Sequence, residues 1–525
     1  MKTPFKILLY FLSFAAVFSF ISNVFDPDIG WHLRFGKEFF ESGFNKFDTH
    51  TFTYYGKLWV NHEWGGDILF WWLYRNFGYM SIVLVTSCVV WLAFILSLKI
   101  FERKLSITSL TTIFLILFSV RHILVGRLAM FSALFFILLW WTLERIPRRK
   151  YYYLWPFLFW IWSVIHGSWI LGFITVLIYI GGNIIQTFLQ KIKYNIFSGI
   201  TWEIGTILKA SLSLLLSMIL ILLNPYNFEI YKEVLSYFTN SYYKQVITEW
   251  ISIFTYPIYP MTFLLSGVSF ALFILALRHK KISAPQVFLY AAFLIAGLKY
   301  KRHMLYFALI SAPLISACFQ KAIFEIKSNI KIEKLLSSLQ FKITLPIFAG
   351  TTIFLLFINF IFKVNWSDDL WSDRRLLASY PMPINATGFL KARLKDEQTK
   401  IFNKFVWGGY LNWHIPQALV YLDGRGTATW RYDNNQTLLE HYHDLLEKKD
   451  GLKEIEALGV EYIVQENATL PSKISIADRF FLGEEKIVEL KKINEDKPQI
   501  YLDLAKSAKW KIVFEDQISK IWKKN

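Results

Sequence analysis

The sequence predicts a polytopic α-helical membrane protein that carries a smaller α/β domain after its last membrane span. Hydrophobic residues make up 54% of the 525-residue chain and aromatic residues 18%, and the mean hydropathy is +0.36. These values are typical of a polytopic membrane protein and not of an ordinary soluble one. Long apolar segments fill residues 1–363, and a charged sequence with many turn residues fills 364–525. We therefore predict a transmembrane catalytic domain over 1–363 and a separate α/β domain over 364–525.

The apolar segments predict eleven membrane spans. They lie near residues 7–25, 79–99, 106–120, 125–144, 152–166, 168–188, 206–223, 257–277, 284–298, 303–320 and 343–363. The first resembles a signal peptide, but its apolar core is too long and no small-residue cleavage site follows, so we expect a retained span. Cys88 and Cys318 both lie in apolar segments, which argues against a structural disulfide.

Basic residues predict the orientation of the spans. With the N-terminus in the cytoplasm, every inner loop is short and rich in Lys or Arg, as the positive-inside rule requires. The residues concerned include Lys99, Arg103, Lys104, Arg145, Arg148, Arg149, Lys150, Lys191, Lys193, Arg278, Lys280, Lys281, Lys321, Lys327, Lys331 and Lys334. Most of the net charge of +18 therefore lies on one face of the membrane. It does not indicate binding to nucleic acid. The domain over 364–525 is expected outside the cytoplasm.

In this orientation the polar residues between spans reach the outer face of the membrane. They include Asp26, Asp28, His32, Glu63, Arg121, His122, Arg127, His166, Glu249, Lys299, Arg302 and His303. Outer loops are normally poor in basic residues, and two of these are rich in them. Because arginine binds phosphate through two parallel hydrogen bonds, we expect one or two of these arginines to hold a phosphate. The alternative is that they are flanking residues that reach lipid headgroups.

The first outer loop, residues 26–67, begins with a predicted amphipathic helix. Asp26 can cap this helix, and Pro27 suits its first position. Aromatic residues recur at helical spacing until the helix ends near Gly43, at Trp31, Phe35 and Phe39. A short β-hairpin, with strands at 51–54 and 58–60, is expected to follow. A second interfacial helix is predicted over 67–77, ending at Gly78.

Asp28, Asp26 and Glu63 are the candidate catalytic residues of this loop. Asp28 and His32 stand four residues apart on the predicted helix and therefore share a face, where His32 can tune the acidity of Asp28 or hold a phosphate. Paired carboxylates suit general-base or metal-assisted chemistry. A helix cap is the favoured explanation for Asp26, and a solvated interfacial position explains His32 equally well.

Other polar motifs lie at span ends. A helix stop is the alternative explanation for His166 before Gly167 and for Asn224 before Pro225. Glu249 precedes Trp250, a pair that can meet a sugar because tryptophan faces stack on sugar rings and carboxylates accept hydroxyl groups. The alternative for this pair is a place in the interfacial aromatic belt.

The C-terminal domain has its own pattern of strands and helices. Buried strands are predicted over 418–422, 462–464 and 510–514, and helices over 438–446 and 452–458. Two motifs stand out, the run from Asn403 to Leu411 with its paired glycines, and Asp423-Gly424-Arg425. Taken alone, both are more typical of strand-end architecture than of chemistry. The sequence contains no Walker loop and no Gly-x-Gly-x-x-Gly or His-Glu-x-x-His motif.

Taken together, the motifs of this chain resemble those of the GT-C superfamily of multi-span membrane glycosyltransferases, within a broad bacterial group. The resemblance rests on Asp26-Pro27-Asp28-x-x-Trp31-His32-Leu33, Asp48, Thr51-Phe52-Thr53, Trp59-x-x-His62-Glu63-Trp64, Arg127, Phe131-Ser132, His166-Gly167, Asn224-Pro225-Tyr226, Glu249-Trp250, Arg302-His303, Asn403-x-x-x-Trp407-Gly408-Gly409-Tyr410-Leu411 and Asp423-Gly424-Arg425. These motifs span almost the whole chain. As a set, these motifs identify the group of proteins more specifically than they identify the reaction it catalyses.

The resemblance implies a polyprenyl-phosphate-linked sugar donor and a catalytic carboxylate in the first outer loop, at Asp28 or else Asp26. This chain has Gly30 where many relatives carry a second tryptophan. Whether a divalent metal takes part is left open; if one does, Asp26 and Asp28 are its expected ligands.

The function we expect is inverting sugar transfer at the outer face of a bacterial inner membrane, in the cell envelope. The acceptor is a glycan, a lipid or a protein, and membrane lipid surrounds the enzyme. The expected substrate-binding residues are His32, Arg121, Arg127, His166, Glu249, Arg302 and His303. Two alternatives stay open: a lipid-linked polymer assembly or transport factor, and a non-catalytic glycan-binding protein. Transporters usually carry mid-membrane charges and internal repeats, and neither is evident in the sequence.

Overall fold

The fold is known from a computed structural model, which describes residues 3–22, 26–102, 107–146, 148–279, 281–328, 382–394, 398–467, 474–495 and 497–525. The chain divides into two compact units. The first, the helical unit, takes its residues from 1–24, 80–224 and 259–366. The second, the mixed unit, takes its residues from 25–79, 225–258 and 367–525. The predicted domain boundary at 363/364 and the predicted span 343–363 lie outside the described residues.

The helices, in chain order, are α1 (Thr3–Ser22), α2 (Ile29–Ser42), α3 (Trp64–Phe77), α4 (Tyr79–Lys99), α5 (Ile107–Val120), α6 (Phe131–Leu143), α7 (Trp155–Ile165), α8 (Trp169–Lys191), α9 (Ile204–Ile221), α10 (Glu229–Thr239), α11 (Ser241–Val246), α12 (Pro260–Arg278), α13 (Ala284–Lys299), α14 (Met304–Ser328), α15 (Ile384–Lys391), α16 (Gly408–His414), α17 (Leu438–Glu447), α18 (Gly451–Ala457), α19 (Ile476–Glu495) and α20 (Gln499–Lys506). The strands are β1 (Thr399–Asn403), β2 (Ala418–Val420), β3 (Tyr462–Glu466), β4 (Trp510–Glu515) and β5 (Ser519–Lys524).

Apolar helices make up the helical unit. Among the described residues, five helices are long and apolar enough to cross a membrane: Tyr79–Lys99, Trp169–Lys191, Ile204–Ile221, Pro260–Arg278 and Lys301–Lys321. Shorter apolar helices cover Leu9–Ser22, Thr108–Ile123, Leu128–Leu143 and Ala284–Lys299. The protein is therefore a multi-pass membrane protein. The number of eleven spans stays a prediction.

Small polar side chains connect the helices of this unit. The Ser269 hydroxyl donates to Ser311 Oγ at 2.9 Å and accepts from the Tyr290 hydroxyl at 2.9 Å, while the Thr262 hydroxyl donates to the Ser119 carbonyl at 2.9 Å. Helices surrounded by lipid gain no hydrophobic free energy from contact with each other, so hydrogen bonds and close packing stabilise their association.

A five-stranded sheet forms the centre of the C-terminal part of the mixed unit, in the order β2-β1-β3-β5-β4. The first three strands are parallel, and β5 pairs antiparallel with both β3 and β4. The predicted strands over 418–422, 462–464 and 510–514 are confirmed as β2, β3 and β4. The predicted helices over 438–446 and 452–458 are confirmed as α17 and α18. The predicted α/β character of this part is therefore confirmed.

Both helices predicted in the first outer loop are present, with shifted starts. Helix α2 begins at Ile29, because Pro27 and Asp28 form a turn in which Asp26 Oδ1 accepts the backbone N–H of Asp28 at 3.2 Å. It ends at Ser42, before Gly43 with φ of 85°. Helix α3 begins at Trp64, three residues earlier than predicted, and ends before Gly78.

The predicted hairpin with strands at 51–54 and 58–60 is wrong. Residues 52–56 form turns, and the antiparallel bridge joins Phe47 to Leu58. The cause is Asp48, whose Oδ2 accepts both the backbone N–H of Thr51 at 3.0 Å and its hydroxyl at 2.6 Å. These bonds hold the chain in a turn, and Thr51 instead pairs in parallel with Val420 at the edge of β2.

Helix α2 packs against α16 at a point where two glycines meet. A Cβ atom at Gly30 would lie 2.2 Å from the Gly409 carbonyl oxygen, which is too close for any side chain. A tryptophan at position 30 would therefore overlap the Gly409 backbone.

We expect Gly30→Ala to destabilise the mixed unit by about 1–3 kcal/mol, because α16 must shift to relieve the overlap. The matched control is Gly388→Ala on α15, where an added Cβ meets nothing within 4 Å and alanine favours the helix. Thermal unfolding of the purified protein in detergent measures both changes. Equal midpoints for the two variants would show that the contact is not tight.

Candidate active site

Two sequence motifs that lie far apart in the chain meet in the mixed unit. Asp423-Gly424-Arg425 follows β2, and a Cβ atom at Gly424 would lie 2.1 Å from Asp28 Oδ1 and 3.2 Å from Trp31 Nε1. The backbone at Gly424 therefore lies directly against the Asp28 carboxylate. Only glycine allows this approach.

Asp28 itself lies at the N-terminus of α2 and is partly exposed. The helix dipole and the free N–H groups of the first turn stabilise a carboxylate there. Beside it, the indole N–H of Trp31 is buried and has no hydrogen-bond partner among the described residues. The Asp28 carboxylate and the Trp31 indole N–H therefore lie next to each other. A hydroxyl group of a ligand could donate to the first and accept from the second.

His32 forms a buried pair with Asp67. Its Nδ1 lies 2.6 Å from Asp67 Oδ1, and the Asn61 amide donates to Asp67 Oδ2 at 2.7 Å. Burial alone would lower the pKa of His32, but Asp67, with help from Glu63 and Asp26, raises it to about 9. Burial also raises the pKa of Asp67, so the two side chains hold one proton between them. The pair fixes the ring of His32, against which Trp31 stacks at a centroid distance of 3.6 Å.

The predicted interaction of His32 with Asp28 is replaced by this pairing, since His32 bonds to Asp67. Its other nitrogen, Nε2, lies 3.8 Å from Glu63 Oε2. Glu63 Oε1 in turn lies 3.9 Å from His62 Nε2, and His62 Nδ1 lies 3.9 Å from Glu233 Oε1. Carboxylates and imidazoles therefore alternate along one row, which places the predicted candidates His32 and Glu63 in a shared polar cluster.

Asp67 and Glu233 are members of this row that the sequence interpretation missed. Asp67 follows Glu63, the residue before α3, by four residues, and its backbone N–H donates to the Glu63 carbonyl at 3.0 Å; this spacing was a signal available in the sequence. Glu233 lies on α10 with no sequence signal to connect it to the loop. Burial raises the pKa of Glu233 to about 8, against smaller lowering effects of Thr429 and Tyr237.

A second charged cluster surrounds Arg425. The guanidinium donates to Asp423 Oδ2 at 2.8 Å and pairs with Asp48 Oδ1 at 2.9 Å, and it lies over the Trp59 ring at 4.5 Å. All three charged side chains are buried. Burial would lower the pKa of Arg425, but the two carboxylates raise it above its ordinary value. These contacts agree with a structural role for the Asp423-Gly424-Arg425 motif. Arg425 connects the first outer loop, through Asp48, to the segment that follows β2.

The residues that the resemblance suggests for a divalent metal do not fit one in this arrangement. One carboxylate oxygen of Asp26 accepts the backbone N–H of Asp28, and the Asp26 side chain is buried. Across the described residues, no three His, Cys, Asp or Glu side chains are placed to bind one ion.

Glu249 also belongs to the mixed unit and is half-buried. Its neighbour Trp250 is buried, donates its indole N–H to the Tyr243 hydroxyl at 3.1 Å and packs on Phe238. The Trp250 ring is therefore part of the packing of this segment, and sugar stacking on it is not supported.

The remaining predicted site residues lie in the helical unit. His166 Nδ1 accepts the backbone N–H of Ser168 at 3.1 Å and lies 2.9 Å from Ser132 Oγ. The Tyr306 hydroxyl bonds to Ser132 and Ser168 and interacts electrostatically with Arg302. Tyr306 therefore brings His166 and Arg302 into one neighbourhood.

Arg121, Arg127 and His303 differ in exposure. Arg121 is exposed and lies over the Phe118 ring at 4.3 Å, as a flanking residue would. Arg127 is half-buried and His303 is buried, on the turn that precedes α14. The convergence of this basic set with Asp28 stays a prediction.

No protein-family model matches this sequence, and no curated protein matches it. Solved structures are similar to it in fold. The oligosaccharyltransferase of Archaeoglobus fulgidus in its apo form matches with a TM-score of 0.54 and 11% identity, over 88% of this chain and 69% of that one. ArnT from Cupriavidus metallidurans, bound to undecaprenyl phosphate, matches with a TM-score of 0.57 and 10% identity, over 99% of this chain and 98% of that one.

Sequence identities of 10–11% establish similarity of fold alone. For ArnT, this similarity covers nearly the whole of this chain and of the ArnT chain. The fold implied by the sequence motifs and the fold found in the structure agree. This chain shares the fold of the Archaeoglobus fulgidus oligosaccharyltransferase and of ArnT.

Proposed function

We propose that the protein is a membrane glycosyltransferase that moves a sugar from a polyprenyl-phosphate-linked donor to an extracytoplasmic acceptor, with inversion at the anomeric carbon. The observation that carries the proposal is the placement of Asp28 at the start of α2, against Gly424 and beside the unsatisfied Trp31 N–H. The similar folds support the donor class: one Archaeoglobus fulgidus structure contains dolichol-phosphate, and ArnT contains undecaprenyl phosphate.

In the proposed reaction, Asp28 accepts the proton of an acceptor hydroxyl while that oxygen attacks the anomeric carbon. The bond from this carbon to the phosphate oxygen breaks, and polyprenyl phosphate leaves with the electron pair. Phosphate is already an acceptable leaving group, so the protein mainly positions the two substrates and neutralises charge. We assign neutralisation to Arg127 and Arg302, and to His303 a hydrogen bond to the phosphate.

The buried row supports the base indirectly. The His32–Asp67 pair fixes the ring on which Trp31 stacks, and Trp31 supplies the donor beside Asp28. Glu63, next to His32, is the second candidate for proton acceptance if Asp28 proves dispensable. The proposed place of this chemistry is the outer face of a bacterial inner membrane.

The direct test is transfer by the purified protein in detergent. Labelled polyprenyl-phosphate-linked sugars are offered with lipids and glycans from the native envelope, and release of polyprenyl phosphate is measured. Mass spectrometry of lipid carriers and glycans from a deletion strain identifies the donor and acceptor to use. Accumulation of one sugar-linked carrier and loss of one glycan are expected. Unchanged carriers and glycans, together with glycan binding but no turnover, would favour the non-catalytic alternative.

The His32–Asp67 pair predicts a pH dependence of stability. The pKa of His32 rises from an ordinary 6.5 to about 9 in the folded protein, so the protonated ring stabilises the fold. This contribution is fully present below pH 6.5 and is lost as the pH rises through 9. We therefore expect the difference in unfolding temperature between the native protein and His32→Asn to shrink between these two pH values. A difference that is constant from pH 6 to 10 would contradict the charged pair.

A further inference from the structure

The helical unit contains a cavity of about 1100 Å³ that none of the candidate active-site residues lines. Its walls come from the ends of α4, α6 and α12, the start of α13, parts of α8 and α14, and residues 198–202. These are the helix ends next to the loops in which the basic residues are concentrated. The cavity therefore lies at the end of the bundle that the sequence predicts to face the cytoplasm.

Apolar side chains form much of the cavity wall. They include Trp140, Leu143, Phe273, Leu289, Pro313 and Leu314. Ligand pockets typically enclose about 300–1,000 Å³, so a space of this size exceeds what a single phosphate ion would fill. Its volume and lining suit a molecule with both an apolar and a polar part.

Cations without ion-pair partners also line the cavity. In the part of the chain that the structure describes, Lys99, Arg145, Arg148 and Lys281 form no ion pair, although all four contribute to the wall. Arg145 donates only to backbone carbonyls, at 3.1 Å to Trp141 and 3.4 Å to Lys99. Its guanidinium also lies over the Trp141 ring at 4.0 Å. Within the described residues, none of the four lies within ion-pair distance of a carboxylate.

The acidic residues of the wall are already satisfied by neutral donors. Glu144 accepts from Gln286 Nε2 at 3.1 and 3.0 Å, from Trp140 Nε1 at 3.1 Å and from the Tyr179 hydroxyl. Glu102 accepts from Ser316 at 2.7 Å and from Ser109 at 2.6 Å. Glu144 also interacts electrostatically with Arg145. Against these two carboxylates the wall carries five cations, Lys99, Arg145, Arg148, Lys281 and Lys321, so the cavity keeps an excess of positive charge.

We propose that this cavity binds a phosphate-bearing lipid, with the phosphate among the arginines and lysines and the first part of the chain against Trp140, Phe273 and Leu289. A charged phosphate suits paired arginine and lysine donors, and the apolar wall suits the tail. The proposal goes beyond the proposed function and does not depend on it. The lipid phosphate can belong to a bilayer phospholipid or to an isoprenoid carrier.

The experiment is native mass spectrometry of the full chain in detergent with added lipids. The probes are phosphatidic acid, an isoprenyl monophosphate, neutral dioleoylglycerol and inorganic phosphate. Binding of the first two and not of the last two is expected, and their relative affinities distinguish the two sources. Binding of dioleoylglycerol as tight as that of phosphatidic acid, or binding of inorganic phosphate as tight as that of either lipid phosphate, would overturn the proposal.

Two double variants separate a site from general surface charge. Arg148→Gln with Lys281→Gln removes two exposed cations of the cavity, and Lys191→Gln with Lys193→Gln removes two exposed cations at the end of α8 that do not line it. We expect the first pair to weaken lipid-phosphate binding about tenfold and the second to leave it unchanged. Equal losses, or no loss in the first pair, would overturn the proposal.

A third variant tests the space itself. Ala276→Trp would fill part of the cavity without changing its charge, since Ala276 lines the wall. Weaker lipid binding with an unchanged elution profile is the expected result. Unchanged lipid binding in a folded Ala276→Trp protein would show that the lipid lies elsewhere.

Discussion

Replacing Asp28 by asparagine is expected to lower the transfer rate by about 10²–10⁴-fold while the protein stays folded. Asparagine keeps the size and much of the hydrogen bonding of the side chain, so the contact with Gly424 is retained. It cannot accept the acceptor hydroxyl's proton. The loss should therefore appear in turnover rather than in binding of the donor.

The measurement compares initial rates of polyprenyl phosphate release and, separately, donor binding. Glu41→Gln is the matched control, because Glu41 is an exposed carboxylate near the other end of the same helix. The control should turn over at the native rate. Undiminished turnover in Asp28→Asn would remove its assigned role, and Glu63→Gln would then test the second carboxylate.

Replacing Arg425 by methionine is expected to destabilise the mixed unit by about 3–5 kcal/mol, the usual cost of breaking a buried ion pair by removing one partner. Asp48 and Asp423 would be left buried without their shared cation. Methionine fills much of the same volume but loses the ion pairs and the guanidinium contact with the Trp59 ring. The turn after Asp48 and the end of β2 should loosen together.

Thermal unfolding and limited proteolysis of the purified protein measure this effect. Lys453→Met, which removes a cation from an exposed pair with Asp450, should leave the unfolding temperature unchanged because exposed pairs contribute little. A double variant, Arg425→Met with Asp48→Asn, should recover part of the loss, since the uncompensated charge is smaller. If Arg425→Met unfolds at the native temperature, the buried cluster does not hold the two segments together.

Elements governed by local rules were predicted well. Helices α2 and α3 followed from aromatic spacing and from glycines at their ends, and β2, β3 and β4 from short apolar runs. The failures were also local in cause. Hydrogen bonds from Thr51 to the Asp48 carboxylate replaced a predicted strand by turns. The bond from the Asp28 N–H to Asp26 moved the start of α2 two residues later, from Pro27 to Ile29.

The partners of the site residues could not be predicted, because sequence spacing carries information only over about one helical turn. His32 was paired with Asp28 on that basis, yet it bonds to Asp67 on the next helix. Glu233 joins the same row from α10. Gly424 lies against Asp28, although most of the sequence separates the two residues.

The sequence alone determined that this is a multi-span membrane protein with a mixed C-terminal part, because hydropathy and short periodic patterns report directly on membrane burial and on local backbone structure. It also identified Asp28 and the Asp423-Gly424-Arg425 motif as separate features. Only the tertiary structure decided that the two lie in contact and that Arg425 joins Asp48. Such contacts depend on how helices and strands pack, which no local pattern records.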